Sequence, residues 1–145
     1  MRHIRKSKQV QQLQEQLADT NSELGYLNRA LAIQMISLAT QTGETEPLSE
    51  AVTALRSAQA YYSFETCPRE HAEIQQALAD TLLLLGKANQ DKAALEKAKQ
   101  AYRGAITLAS MLGDERMRAD LRSNYKLTMT LLGQHTKTAS LFKVA

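Results

Sequence analysis

The sequence predicts an all-α protein built from stacked antiparallel helix hairpins, and three observations carry that prediction. Composition comes first: 43% of the 145 residues are hydrophobic and 23% charged, with only two Pro and six Gly. Such a chain is globular and rich in helix formers. Second, aromatic residues make up 5% and Trp is absent, so Ala and Leu must supply most of the packing, which suits close helix contacts better than a sheet. Third, the chain repeats itself at an offset of 47 residues. Ile36 to Leu38 fall on Leu83 to Leu85, Leu48 on Leu95, Ala51 on Ala98, Ala54 on Ala101, Arg56 on Arg103 and Ala58 on Ala105. The register continues with Arg69 on Arg116, Ala72 on Ala119, and Leu84-Leu85-Gly86 on Leu131-Leu132-Gly133. The retained residues are mostly small or apolar, as a repeated packing unit requires.

Taken in order, the chain opens with Arg2, Arg5, Lys6 and Lys8, a basic arm that accounts for the net charge of +3. From Ile4 to Leu17 neither Gly nor Pro occurs, and Gln, Lys, Leu and Glu favour a helix. Val10, Leu17, Leu24, Leu31 and Leu38 lie seven apart, with Leu13 and Leu27 in the intermediate heptad position. One long helix with a coiled-coil seam fits that spacing. A break near Asp19 to Ser22 fits equally, because Thr20 and Glu23 form a capping box. Residues 1–20 are therefore set apart as arm and N-terminal helix, 21–133 as the repeat domain and 134–145 as a tail.

Within the repeat domain, Leu24 to Ala39 is the first helix of hairpin one. Pro47 opens the second, since a first-turn residue needs no N–H, and that helix is expected to end near Phe64. Pro68 repeats the signal and opens a helix to Gly86 with Ile74, Leu78, Leu82 and Leu85 on its stripe. Asp91 caps a helix to Leu112, which Gly113 terminates, and Asp114 caps one carrying Leu121, Tyr125, Met129 and Leu132 that is expected to stop at Gly133. Beyond it, Leu141-Phe142 show no full period and predict a frayed short helix. Each hairpin has apolar faces it cannot bury alone, so neighbours must stack.

The spacing of Ala98, Tyr102 and Ala105, and of Ala51, Leu55 and Ala58, resembles the small-aromatic-small positions on the second helix of tetratricopeptide repeats. Leu78-Ala79 with Leu82, and Leu31-Ala32 with Met35, resemble the large-small-large positions of its first helix. The resemblance covers residues 24–133. Its period of 47 exceeds the family's usual value of about 34, and the family's Trp and helix-ending Pro are missing. It implies a right-handed superhelix of helix pairs that serves as a protein-binding scaffold. Carried over by register, the candidate partner-binding residues of the concave side are Tyr26, Arg29, Glu73, Gln76, Asp80, Asp120 and Ser123. The carboxylate clamp of some family members is not reproduced, because its positions hold Arg29, Gln76 and Ser123, then Ile33, Asp80 and Leu127.

Catalysis finds little support. Cys67 precedes His71 by one helical turn, but no Asn or Asp is placed to orient that His. His3, His71 and His135 fall in separate elements without metal-ligand spacing, and no Gly-rich phosphate loop occurs. The expectation is a protein with no catalytic residues, metal or cofactor. Arg118, Arg122 and Lys126, spaced four apart with Arg116 nearby, form a basic stripe suited to an acidic partner or simply to water. The basic arm lacks aromatics for base stacking, so nucleic acid is a minor alternative, as is a secretion-type chaperone. Val10, Leu13, Leu17 and Leu24 lie beyond or at the edge of the repeat and must cover something, which makes a homodimer through residues 5–38 a further expectation. With one Cys, no secretory apolar core and no 18-residue apolar run, the expected setting is cytoplasmic and away from membranes.

Overall fold

A computed structural model describes residues 7–143, with side chains described for 7–135. Five helices occupy it: α1 (Lys8–Thr42), α2 (Glu46–Tyr61), α3 (Pro68–Asn89), α4 (Lys92–Leu112) and α5 (Glu115–Lys143). No strand occurs among the described residues. Arg2, Arg5 and Lys6 of the basic arm lie outside them.

Local chemistry sets most of the boundaries. The Ser7 hydroxyl accepts the Val10 N–H and starts α1, while Asp91 accepts from Ala93 N at 2.9 Å and Asp114 from Met117 N at 3.0 Å to start α4 and α5. Pro stands in the first turn of both α2 and α3. Gly113 ends α4 at φ 69°, where a side chain would be strained. Short connections then turn each helix back along the last. A Cβ on Gly25 would touch Tyr62 near the end of α2, and one on Gly86 would touch Leu95 near the start of α4, so both hairpins are antiparallel.

One open choice is settled and three expected boundaries need correction. The seam helix is one element, α1, because Thr20 turns its hydroxyl to Gln16 O at 2.8 Å and so does not cap a new helix. α2 stops at Tyr61, short of Phe64, where Ser63 and Thr66 pair their hydroxyls in a turn. α3 continues past Gly86 to Asn89, and Gln90, not glycine, takes the left-handed terminal position at φ 48°. α5 likewise runs through Gly133 to Lys143, so the tail continues that helix. Neither glycine has a positive φ, and both therefore sit in ordinary helical backbone.

The core joins residues of all five helices, and helices adjacent in sequence pack together. Three pairs of alanines 47 apart are buried alike: Ala32 and Ala79, Ala51 and Ala98, and Ala58 and Ala105 are each fully buried. Leu55 and Tyr102 share the same register and are the bulky members of the set, sealed among these alanines.

Candidate functional site

The candidates for partner binding separate into two groups. Arg29 of α1 donates to Glu73 of α3 at 2.9 Å, and Arg69 reaches Glu73 at 3.9 Å and Asp114 at 3.3 Å. Asp80 of α3 accepts the Tyr102 hydroxyl of α4 and the Asn124 amide of α5, the latter at 3.2 Å. Burial pushes the Asp80 carboxyl up, the two donors draw it back, and the charge of Asp120 raises it further. Burial also raises the Tyr102 hydroxyl, with the Asp80 hydrogen bond and charge acting the same way. Arg29 and Glu73 thus tie α1 to α3, and Asp80 ties α3 to α4 and α5, whereas Tyr26, Asp120 and Ser123 stand exposed and Gln76 is half-buried.

Arg69, Tyr102 and Asn124 escaped the reading of the sequence as polar partners. A signal was present: Arg29–Glu73, Asp80–Asn124 and Arg69–Asp114 are 44, 44 and 45 residues apart. Each pair falls short of the repeat by two or three residues, so a side chain on one first helix meets the neighbouring turn of the next. The Asp114 carboxylate has a second duty, since it accepts the Met117 N–H; that bond, assisted by Arg69, holds it below the usual carboxylate range.

The basic stripe on α5 is uneven. Arg118 is half-buried against Glu115 at 3.6 Å with its Nε unpartnered, while Arg116, Arg122 and Lys126 point to water. His71 gives Nδ1 to Tyr62 O at 2.8 Å and sets its ring edge on Phe64, so its geometry serves the α2–α3 turn. Among the described residues, no three His, Cys, Asp or Glu gather as metal ligands, and no helix is long and apolar enough to cross a membrane.

The most conspicuous surface lies on α1. Val10, Leu13, Leu17, Leu24, Leu27, Leu31 and Leu38 are between 39% and 61% exposed, forming one line along the helix. Residues 7–20 are exposed throughout, and α2 begins to cover α1 only near Gly25. About 25 Å of helix therefore projects past the hairpin. The equivalents of Leu27 and Leu31 one repeat later, Ile74 and Leu78, are 0% and 6% exposed. They share a helix face with His71, which reaches the end of α2. In α3 this face meets the preceding hairpin; in α1 no described residue covers it.

Comparison with known proteins yields no match to a family model, a curated protein or a solved structure.

Proposed function

We propose that the chain is a non-enzymatic scaffold of the tetratricopeptide-like kind, a right-handed stack of two and a half helix hairpins that docks a segment of another protein. The observation carrying this reading is the like burial of the hairpin-packing positions 47 apart, Ala51 with Ala98 and Leu55 with Tyr102. A repeated unit of that sort exists to extend a surface, since each added hairpin lengthens a row of equivalent first-helix positions. Along that row Tyr26, Ile33 and Leu127 are exposed apolar groups, and Asp120 and Ser123 are exposed polar ones. An amphipathic segment with basic residues beside its apolar ones suits such a row.

The test is selection of displayed peptides on the full chain, followed by affinity measurement on a Tyr26→Ala, Ile33→Asp, Leu127→Asp variant. All three side chains are exposed, so the variant keeps the core. Selected peptides should lose at least about tenfold in affinity. Peptides that bind both proteins equally, or no selection at all, would defeat the reading.

A further inference from the structure

We infer that the bare leucine seam of α1 is a self-association surface, on which a second copy of the chain lays its own α1 parallel and in register.

The seam has the form of a coiled-coil stripe. Val10, Leu17, Leu24, Leu31 and Leu38 hold one heptad position, and Leu13, Thr20, Leu27 and Gln34 hold the other. It is also uncharged. Lys8, Glu15, Asp19 and Arg29 project from other sides of α1, and Glu23 alone borders the seam. A charged partner finds nothing there to pair with, whereas an identical helix meets no like charge. Flanking residues across a parallel pair would be Gln9 with Gln14, Gln16 with Asn21, and Glu23 with Asn28, none of them repulsive.

The area is sufficient. The seven exposed seam side chains offer on the order of 600 Å² per copy, and about 1,200 Å² for a pair is where specific interfaces begin. Residues 7–20 are exposed throughout and no other described residue covers them, and a helix in water is marginal without an apolar face to pack.

Orientation follows from the two polar interruptions. In a parallel pair each heptad layer meets itself, so Thr20 faces Thr20 and Gln34 faces Gln34. An antiparallel pair sets each of them against a leucine or valine and leaves a polar group in an apolar layer. The packed body does not obstruct the parallel pair. α2 lies over the side of α1 marked by Gly25, Ala32 and Ala39, each one residue, or about 100°, on from a seam leucine. A two-fold axis along α1 then carries the second body to the opposite side.

Light scattering on the full chain should give twice 16.1 kDa at micromolar concentration, and Leu13→Asp with Leu17→Asp should return the mass to one copy. Both positions lie on the projecting part of α1, so the thermal transition of the hairpins remains as the control for folding. Tyr26→Asp, on another side of α1, should leave the mass doubled. A single-copy mass for the natural chain, which would assign the seam to a segment of another protein, overturns the inference; so does a dimer that survives the aspartates. For orientation, Thr20→Cys in a Cys67→Ser background should form an intermolecular disulfide on mild oxidation, and its failure in a chain that remains dimeric would overturn the parallel register. Leu13→Asp, Leu17→Asp and Thr20→Cys leave the peptide-docking row untouched, and only the Tyr26→Asp control falls on it, so the two proposals stand or fall separately.

Discussion

The two ends of the stack leave opposite faces bare and treat them differently. Each first helix has a side for its own hairpin partner and a side for the preceding hairpin. The first runs Gly25, Ala32, Ala39 in α1 and Ala72, Ala79, Gly86 in α3, all buried; in α5 it becomes Ala119, Lys126, Gly133, all exposed. The second runs Leu27, Leu31, Leu38 in α1, then Ile74, Leu78, Leu85, then Leu121, Tyr125, Leu132. Only α3 uses both. At α5 the idle side has acquired Lys126 beside Arg122 and suits water, but at α1 it remains leucine. A polar end is satisfied by water, whereas an apolar end is the one that the proposed second copy would cover.

The largest expected effect separates α1 from α3 at one repeat position. Ile74→Ala should cost about 3–4 kcal/mol, since a fully buried aliphatic side chain leaves a cavity. Leu27→Ala, measured in the Leu13→Asp, Leu17→Asp background to hold the chain monomeric, should cost less than about 0.5 kcal/mol because its site is already wet. Urea denaturation of both reads the difference. Equal losses would mean that α1 has an intramolecular cover and that the two faces are not in unlike settings.

Gly86→Ala tests the side toward the hairpin partner. A Cβ there would lie 2.6 Å from the Leu95 side chain and 3.1 Å from the Leu95 backbone nitrogen. The side chain can move but the backbone cannot readily follow, so the variant should lose about 1–3 kcal/mol by the same measurement. A neutral result would show that α3 and α4 can separate at no cost.

Legibility in the sequence followed what could be argued from period and local chemistry. The repeat gave Ala51 with Ala98 and Leu55 with Tyr102, because buried positions tolerate few residue types. Caps at Asp91, Asp114 and Gly113 were legible because each acts within three residues of itself. The misreadings share one cause, which is that tertiary packing overrode a local signal. Gly86 looks like a stop but is the small residue that lets Leu95 approach, and Gly133 inherits its place in the repeat without that neighbour. Thr20 and Glu23 make a capping box that goes unused because the helix runs through. Arg29, Glu73 and Asp80 read as candidates for an outside partner, and the polar groups they meet in the fold lie on neighbouring helices, which no local pattern in the sequence announces.

Asp80 has no polar counterpart at either end: Ile33 and Leu127 stand in its register and are exposed. Its raised carboxyl pKa means that the folded protein holds this proton more tightly than the unfolded chain. Stability therefore falls as pH rises from the ordinary carboxylate range, 3.8, through the raised value. Asp80→Asn keeps an oxygen to accept from Tyr102 and Asn124 and removes the charge, so the variant should gain on the natural chain as pH rises across that window. The gain stays below about 1 kcal/mol, because the carboxylate retains part of its water. A difference curve that is flat, or that slopes the other way, would mean that the interior cross-link is stronger as an ion than burial allows.

The smallest effect should carry the opposite sign to Gly86→Ala. Gly133 lies one repeat later in helical backbone, and a Cβ built on it meets nothing within 4 Å. Alanine there relieves the entropic cost of glycine without displacing a neighbour, which should raise stability by about 0.5–1 kcal/mol at an unchanged denaturant slope. The same methyl group thus destabilises where α4 covers the helix and stabilises where water does. A loss at Gly133 would require an occupant on the outer side of α5, and that end would then be a second open surface instead of the terminus its lysine and arginine mark it to be.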